Sequence, residues 1–258
     1  MKIALSIAGY DPSAGAGILA DIKVFSSMGV YGFGVATAIT AQNSTDLTVV
    51  SPISSSMLIR QLELLFADFH IDAIKIGMIS SRSNIVAVTR FLKDIGFAGP
   101  IVVDPIIVSS TGASIMDPIS VRTLIKEMIP IATVVTPNLR EATVLCETIV
   151  KDTESMMEAA RRIHNMGAQY VVIKGGHLKD EAIDILYDGE DFTKISSKKI
   201  PKEVHGTGCH FSAAICANLA SNMDIYEAVR GAKSYMDELF ARWIFKPGRG
   251  MHYFIDHR

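Results

Sequence analysis

A short glycine-containing stretch late in the sequence has the composition of a phosphate-binding turn. It is Val204-His205-Gly206-Thr207-Gly208-Cys209, and small and apolar residues typical of a helix follow it at 211–220. Two glycines allow a sharp turn and a close approach to a ligand, and the free N–H groups at a helix start lie where the helix dipole is positive. The stretch is therefore a candidate anion site, and tight packing is the alternative explanation for its glycines.

Cys209 lies near the expected start of that helix, where the dipole lowers the pKa of a thiol. A thiolate at this place would accept a proton from a substrate hydroxyl, whereas a thiol would donate a hydrogen bond within the anion site, and both roles stay open. A nucleophilic Cys-His dyad with His205 or His210 is a third interpretation. The dyad leaves the charged residues described next unexplained.

Lys174, Asp104 and Glu141 are the charged residues expected near this turn. Phosphoryl transfer needs charge neutralisation and positioning more than covalent chemistry. Lys174 would contact a polyphosphate, while Asp104 and Glu141 would hold hydrated Mg²⁺ through their carboxylates. The sequence contains no G-x-x-x-x-G-K-[ST] motif, so a P-loop enzyme is excluded.

Residues near the start of the chain have the properties of a binding site for a small molecule. Gln42 follows the predicted strand at 32–38, and its amide offers one donor group and one acceptor to a heterocycle. Asp21 borders the apolar stripe of a predicted helix, so its carboxylate should point toward the sheet edge. The glycines of the 9–17 loop depart from the G-x-G-x-x-G spacing of a dinucleotide site.

Strands and helices alternate along the chain and would position these residues. Near-continuous Val/Ile runs separated by helices predict an α/β fold with a mainly parallel sheet covered on both faces, and a hairpin at 183–195 predicts an antiparallel edge. A short additional strand is expected at 47–53, as a flap or a subunit contact. Because the carboxyl ends of parallel strands share one edge, the polar residues should line a single crevice. The predicted strands are 3–8, 32–38, 72–78, 101–105, 133–137 and 170–177, and the predicted helices are 57–69, 84–93, 119–128, 154–166, 211–220 and 225–243.

Composition narrows the class of protein. The 258 residues are 49% hydrophobic and 20% charged, with a formal net charge of −2, which argues against a nucleic-acid partner. No composition break divides the chain, so we expect one domain over 1–258.

No stretch has the roughly 18 uninterrupted apolar residues of a membrane span, and the start does not resemble a signal peptide, so we expect no membrane association and a cytoplasmic location. Three cysteines without a C-x-x-C pair do not indicate disulfides or structural zinc.

A series of motifs then connects the chain to a known family. The motifs are 8–17 with 20–23, 37–43, 75–78, 104–105, 136–138 with Glu141, 174–177 and 205–209. In this order the chain resembles the hydroxymethylpyrimidine/phosphomethylpyrimidine kinases of thiamin biosynthesis, within the ribokinase-like superfamily. The resemblance implies a three-layer α/β/α sandwich and ATP-dependent phosphorylation of 4-amino-5-hydroxymethyl-2-methylpyrimidine, followed by phosphorylation of its monophosphate.

The resemblance also implies roles for individual residues. Gln42 would bind the aminopyrimidine, and the residues around the ring would be Gly9, Asp21, Met78 and Val108. Asp104 and Glu141 would serve Mg²⁺. Lys174, Thr207 and His205 would bind ATP. Catalysis would involve Lys174 together with Gly206, Gly208 and Cys209 in the anion hole. Exposed apolar residues near Val49 and Val50 favour a homodimer.

This sequence departs from the family pattern at some positions. Tyr10 stands where the family usually has Ser, Ser110 where it usually has Lys, and His210-Phe211 where Thr-Leu is commoner. A bulky phenol and a missing cation affect pocket size and phosphate recognition, so the preferred phosphorylation step stays open. A pyridoxine/pyridoxal kinase of the same fold is the alternative within the fold, and a catalytically silent small-molecule sensor is the alternative from another class.

Overall fold

A computed structural model describes residues 1–108, 115–176, 182–197, 202–250 and 252–257. Two residues named above, Ser110 and His177, lie outside the described residues. Within the described ranges, no helix is long and apolar enough to cross a membrane.

A nine-stranded sheet forms the centre of the fold, in the order β3-β2-β1-β4-β5-β6-β7-β8-β9. The strands are β1 Ile3–Tyr10, β2 Tyr31–Gln42, β3 Leu47–Pro52, β4 Ala73–Ile76, β5 Ile101–Val103, β6 Val134–Val135, β7 Tyr170–Ile173, β8 Ala182–Tyr187 and β9 Phe192–Ser197. The six strands β1, β2 and β4 to β7 pair in parallel. The predicted antiparallel edge is confirmed at β8–β9, and the additional strand β3 makes the opposite edge antiparallel as well.

Helices cover both faces of the sheet. They are α1 Gly17–Ser27, α2 Ser55–Asp68, α3 Arg82–Asp94, α4 Pro118–Thr123, α5 Leu139–Cys146, α6 Thr153–Asn165, α7 Thr207–Ala220 and α8 Ile225–Arg242. Successive strand residues point to opposite faces, so Ile101 and Val103 pack with α2 to α6 while Val102 packs with α1, α7 and α8. The predicted three-layer α/β/α sandwich is therefore confirmed.

The start of α7 differs from the sequence-based expectation. Side chains of Ser54, Ser81, Asn138 and Asp224 accept hydrogen bonds from the first turns of α2, α3, α5 and α8. Helix α7 instead begins at Thr207, and its N-cap residue Gly206 has no side chain that could accept such a hydrogen bond. The helix thus starts four residues earlier than 211, and its first N–H groups belong to the glycine turn itself.

The segment after α8 returns to this turn. Its strands β10 Ile244–Phe245 and β11 Phe254–Ile255 pair antiparallel. The N–H of Tyr253 donates to the carbonyl of Glu203 (2.8 Å), and the N–H of His205 donates to the carbonyl of Tyr253 (2.8 Å). The 252–257 tail is therefore paired with the chain that leads into α7.

Helix α2 offers a matched test of the packing on one face of the sheet. Leu62 is fully buried, whereas Leu64 on the same helix is 57% exposed. Leu62→Ala should lower the free energy of unfolding by about 2–5 kcal/mol, because it removes buried methyl groups and leaves a cavity. Leu64→Ala should change it by less than about 0.5 kcal/mol. Urea unfolding followed by circular dichroism measures both, and equal effects would contradict this packing.

Candidate active site

A cleft of about 710 Å³ opens at the edge where the parallel strands end. Residues at or just after the carboxyl ends of β1, β2, β4, β5, β6 and β7 line it, as does the first turn of α7. The predicted site residues in its lining are Gly9, Gln42, Met78, Asp104, Val108, Glu141, Lys174, His205, Gly206, Thr207, Gly208 and Cys209. The structure thus brings together residues that are remote in sequence, as expected from the shared edge.

Lys174 and Asp104 form an ion pair in this cleft. Lys174 Nζ lies 2.7 Å from Asp104 Oδ1, and Asp104 also accepts hydrogen bonds from Thr136 Oγ1 (3.2 Å) and Ser212 Oγ (3.2 Å). Burial disfavours the carboxylate, but the charges of Lys174 and Lys75, together with the hydrogen bonds from Lys174 and Ser212, outweigh burial and hold the pKa of Asp104 below its ordinary value. Burial lowers the pKa of Lys174, whereas the negative charge of Asp104 raises it. The net effect is a raised pKa. Both groups are therefore charged, and the cation is held in place.

Glu141 is ordered by the start of α5. Asn138 Oδ1 accepts from the N–H of Glu141 (3.0 Å), and Glu141 Oε2 accepts from the N–H of Asn138 (2.8 Å), which together form a capping box. Burial raises the pKa of Glu141 to about 8, and the charge of Asp104 adds to the rise against the opposing effect of Lys174. A bound cation would favour the ionised form of this carboxyl group.

The carboxylates of Asp104 and Glu141 fit a magnesium ion by their chemistry. Both offer hard oxygen donors beside a cleft wide enough for a polyphosphate. Across the described part of the chain, no group of three or more His, Cys, Asp or Glu side chains is placed to hold a metal ion. Two carboxyl groups without further protein ligands suit Mg²⁺, because this ion binds one or two carboxylates and completes its coordination shell with water and phosphate oxygens.

The glycine turn packs against Lys174. Gly206 adopts a left-handed φ of 75° at the N-cap of α7, and a Cβ atom there would lie 1.9 Å from the carbonyl oxygen of Gly15. A Cβ atom on Gly208 would lie 3.0 Å from Lys174 Nζ. The ammonium group therefore contacts the first turn of α7, and a cation beside the free N–H groups of a helix start is suited to bind phosphate.

Cys209 corrects one expectation. Its thiol is buried. Burial raises the pKa of Cys209 to about 11, and the carboxylates of Asp104 and Asp21 add to this against the opposing charge of Lys75. The predicted lowering of its pKa is wrong, because desolvation outweighs the helix dipole. Cys209 is thus a protonated thiol at neutral pH, which favours the donor role over the base role.

Asp21 also differs from its predicted place around the ring of a ligand. Its carboxylate is fully buried, lies 2.9 Å and 3.0 Å from Lys75 Nζ and accepts from Ser6 Oγ (2.6 Å), and it is not among the described residues that line the cleft. Burial favours the neutral amine of Lys75, yet the charges of Asp21 and Asp104, together with the hydrogen bond to Asp21, outweigh burial and raise the pKa of Lys75. This buried cation was not predicted from the sequence, although a lysine inside the apolar strand β4 indicates a charge that needs a buried partner.

His205 lies between two loops. Its Nε2 is 3.1 Å from Asp11 Oδ2 and 3.5 Å from Gln42 Nε2. Asp11 also accepts hydrogen bonds from Ser13 N (2.8 Å) and Ala16 N (3.0 Å). The imidazole therefore joins the Gly9–Gly17 loop to the turn before α7 and adjoins the predicted ring-binding amide. The contact of Asp11 with His205 was not predicted from the sequence, in which the Asp11-Pro12-Ser13 run indicated only a turn.

A second ion pair lines the cleft and was also missed. Lys233 Nζ lies 2.6 Å from Asp184 Oδ2, and Asp184 Oδ1 accepts from the N–H of Gly175 (2.9 Å). Because Gly175 follows Lys174, this pair fixes the backbone beside the phosphate-binding cation. Met236 and Phe240 of α8 add apolar lining. In the sequence, Lys233 among the apolar residues of α8 was the feature that indicated a buried ion pair.

The chain that forms this cleft is similar over most of its length to proteins of one enzyme family. The family model for phosphomethylpyrimidine kinase matches residues 11–253. The hydroxymethylpyrimidine/phosphomethylpyrimidine kinase of Rhizobium meliloti is 43% identical over 259 residues, which cover 98% of this chain and 97% of that protein. These matches confirm the resemblance drawn from the motifs.

Solved structures show two activities on this fold. The pyridoxal kinase of Bacillus subtilis, solved as an ADP complex, has a TM-score of 0.91 and 37% identity, and the match covers 100% of this chain and 97% of that one. The phosphomethylpyrimidine kinase of Clostridium difficile has a TM-score of 0.84 and 37% identity, with 93% and 100% covered. The fold is therefore that of both kinases.

The raised pKa of Cys209 can be tested by alkylation. The rate of Cys209 modification by iodoacetamide should rise about tenfold per pH unit from about pH 7 to about pH 9.5 without levelling off, because only the thiolate reacts. Peptide mass spectrometry measures this rate for each cysteine. In urea-unfolded protein, the control, the rate should level off above about pH 8.5. A plateau below pH 8 in the folded protein would contradict the assignment.

Proposed function

The chain belongs to the phosphomethylpyrimidine kinase family, and from this premise we propose that its cleft transfers the γ-phosphoryl group of ATP to 4-amino-5-hydroxymethyl-2-methylpyrimidine and then to the monophosphate. The observation that carries the proposal is the contact of Lys174, paired with Asp104, against the Gly206–Cys209 turn. A fixed cation and free helix N–H groups meet there, as transfer of a phosphoryl group requires.

The pyrimidine binds at the Gln42 end of the cleft. The Gln42 amide pairs with a ring nitrogen and the exocyclic amine through its donor and acceptor. Met78 and Val108 supply apolar walls, and Gly9 lies directly against Met78, since a Cβ atom on Gly9 would lie 2.2 Å from the terminal methyl group and would displace it. Asp21 acts at a distance, by fixing Lys75 in the interior rather than by touching the ring.

The phosphates of ATP bind between Lys174 and the start of α7. Lys174 neutralises the polyphosphate, Thr207 and Gly208 donate backbone N–H groups, and the Cys209 thiol adds a donor. Asp104 and Glu141 hold Mg²⁺, which neutralises phosphate charge when it is bound. His205, held by Asp11, lies beside Gln42 at the ring end of the cleft.

The transfer forms a bond between the substrate hydroxyl oxygen and the γ-phosphorus and breaks the bond to the bridging oxygen, releasing ADP. In a loose transition state the attacking oxygen develops little charge, so the hydroxyl proton leaves late, to an oxygen of the transferred phosphoryl group, and no resting thiolate is needed. This agrees with the protonated state of Cys209, whose pKa is raised to about 11 by burial. Cys209 therefore stabilises charge in the anion hole.

Assembly and location remain proposals. Val49 on the edge strand β3 is 53% exposed and Ile39 on β2 is 51% exposed, and a second copy of the chain would cover them in a homodimer. A cytoplasmic location stays a prediction from the sequence.

A coupled ATPase assay distinguishes the candidate activities. With the aminopyrimidine alcohol, kcat/KM should exceed that with pyridoxal by at least about tenfold, since pocket polar groups matched to one ring are left unpaired by the other. Pyridoxal kinase is the second candidate because of the 0.91 TM-score to that enzyme and because Tyr10, 39% exposed, lines the cleft. A preference for pyridoxal would support it, and no turnover with either substrate would favour the silent sensor.

Two substitutions should separate binding from chemistry. Gln42→Ala should raise the KM for the pyrimidine about tenfold with kcat little changed, because it removes a contact made in ground and transition states alike. Cys209→Ala should lower kcat about tenfold or more, because it removes an anion-hole donor. Steady-state kinetics measures both. Gln169→Ala on the surface and Cys216→Ala on α7 are the matched controls, and equal small effects of all four would count against these roles.

A further inference from the structure

Two histidines lie together behind the glycine turn. His210 in the first turn of α7 and His257 in the tail stack with ring centroids 5.0 Å apart and planes 4° apart, and their Nε2 atoms are 3.0 Å apart. His210 is buried. His210 Nδ1 lies 2.8 Å from the carbonyl oxygen of Gly206, and His257 Nδ1 lies 3.0 Å from the hydroxyl of Tyr235. These contacts form one hydrogen-bonded chain from α8 to the turn.

Two neighbours set the tautomer of His210: the Gly206 carbonyl at Nδ1 and His257 at Nε2. The Gly206 carbonyl only accepts, so His210 carries its proton on Nδ1 and its Nε2 is an acceptor. His257 must then donate from Nε2, which leaves its Nδ1 to accept from the Tyr235 hydroxyl. This assignment needs both rings to be neutral, and burial lowers the pKa of His210 to about 3 and that of His257 to about 4. Ser27 Oγ, 2.6 Å from the Tyr235 hydroxyl, then donates to that oxygen, and the chain has a consistent arrangement of protons.

The acceptor at the end of this chain is part of the phosphate site. The carbonyl of Gly206 and the N–H of Thr207 belong to one planar peptide and point in opposite directions. Holding the carbonyl oxygen thus fixes the direction of the Thr207 N–H. The same oxygen also accepts the helical N–H of His210 (3.0 Å), so two donors from one residue hold it.

The tail keeps His257 in place. Tyr253 exchanges backbone hydrogen bonds with the 203–205 segment, and the ring of Phe254 lies 5.3 Å from that of His205. The N–H of Asp256 donates to the carbonyl of Trp243 (2.7 Å). His257 is thus presented to His210 by a segment that is hydrogen-bonded to the 203–205 chain and to Trp243.

We propose that His257 is a positioning residue for phosphoryl transfer: it holds His210 in the Nδ1–H tautomer, which fixes the Gly206–Thr207 peptide with its N–H toward the phosphate. The proposal rests on the proposed function of the turn. It also gives a role to His210, which stands where the sequence departs from the family pattern.

Nitrogen-15 NMR of labelled protein tests the proton arrangement without any activity. In the unaltered protein, His210 should be protonated at Nδ1 alone and His257 at Nε2 alone. In His257→Phe, which removes the donor to His210 Nε2, His210 should show a mixture of tautomers, whereas in Tyr235→Phe His257 should stay protonated at Nε2 because His210 Nε2 still accepts that proton. Nε2 protonation of His210 in the unaltered protein would overturn the proposal. An inactive protein with the expected tautomers would contradict the proposed function instead, so the two failures are distinguishable.

Kinetics tests the positioning role. His257→Phe keeps a ring but removes the donor, and it should lower kcat about tenfold while the KM for the pyrimidine changes less than about twofold, because only the aim of one N–H is lost. His257→Gln restores an N–H donor and should recover kcat to within about threefold of the unaltered enzyme. His70→Phe, at a side chain that is 90% exposed, is the control. An unchanged kcat in His257→Phe, or a loss that Gln does not rescue, would overturn the proposal.

Discussion

The site depends on burying opposite charges together where the parallel strands end. Asp104 and Lys174 are held 2.7 Å apart with little access to water, and either charge alone would be costly in that place. Their pairing keeps a carboxylate and an ammonium group charged beside the start of α7, where a phosphate needs both a cation and free N–H groups. The strands supply this geometry because Asp104 follows β5 and Lys174 follows β7, on the same edge of the sheet.

Much of this arrangement could be predicted from the sequence. Val/Ile runs separated by helices predict the parallel sheet, and the position of Gln42, Asp104 and Lys174 after such runs predicts their meeting at one edge. The Gly206–Cys209 turn was recognisable because glycine spacing and a following helix have a direct physical meaning. Family motifs then supplied the chemistry of the ligand, which strand order alone does not reveal.

The properties that were missed or wrong depend on packing in three dimensions. Whether Cys209 is a thiolate is decided by burial and by Asp104, which is distant in sequence, and these outweigh the local effect of the helix start. Asp21 turns to Lys75 in the interior, since a buried cation needs a partner more than a ligand needs another carboxylate. The tail histidine was unpredictable because its partner lies on another element.

The contact between Gly206 and Gly15 has an evolutionary consequence. The backbone of Gly15 occupies the space that a side chain on residue 206 would need, since a Cβ atom on Gly206 would lie 1.9 Å from the Gly15 carbonyl oxygen. A mutation that moves either loop must be matched by a change in the other, although the two are encoded far apart. The ring-binding loop and the phosphate-binding turn are therefore constrained to change together, and substitutions at residues away from this contact are the ones that can alter the cleft without disturbing it.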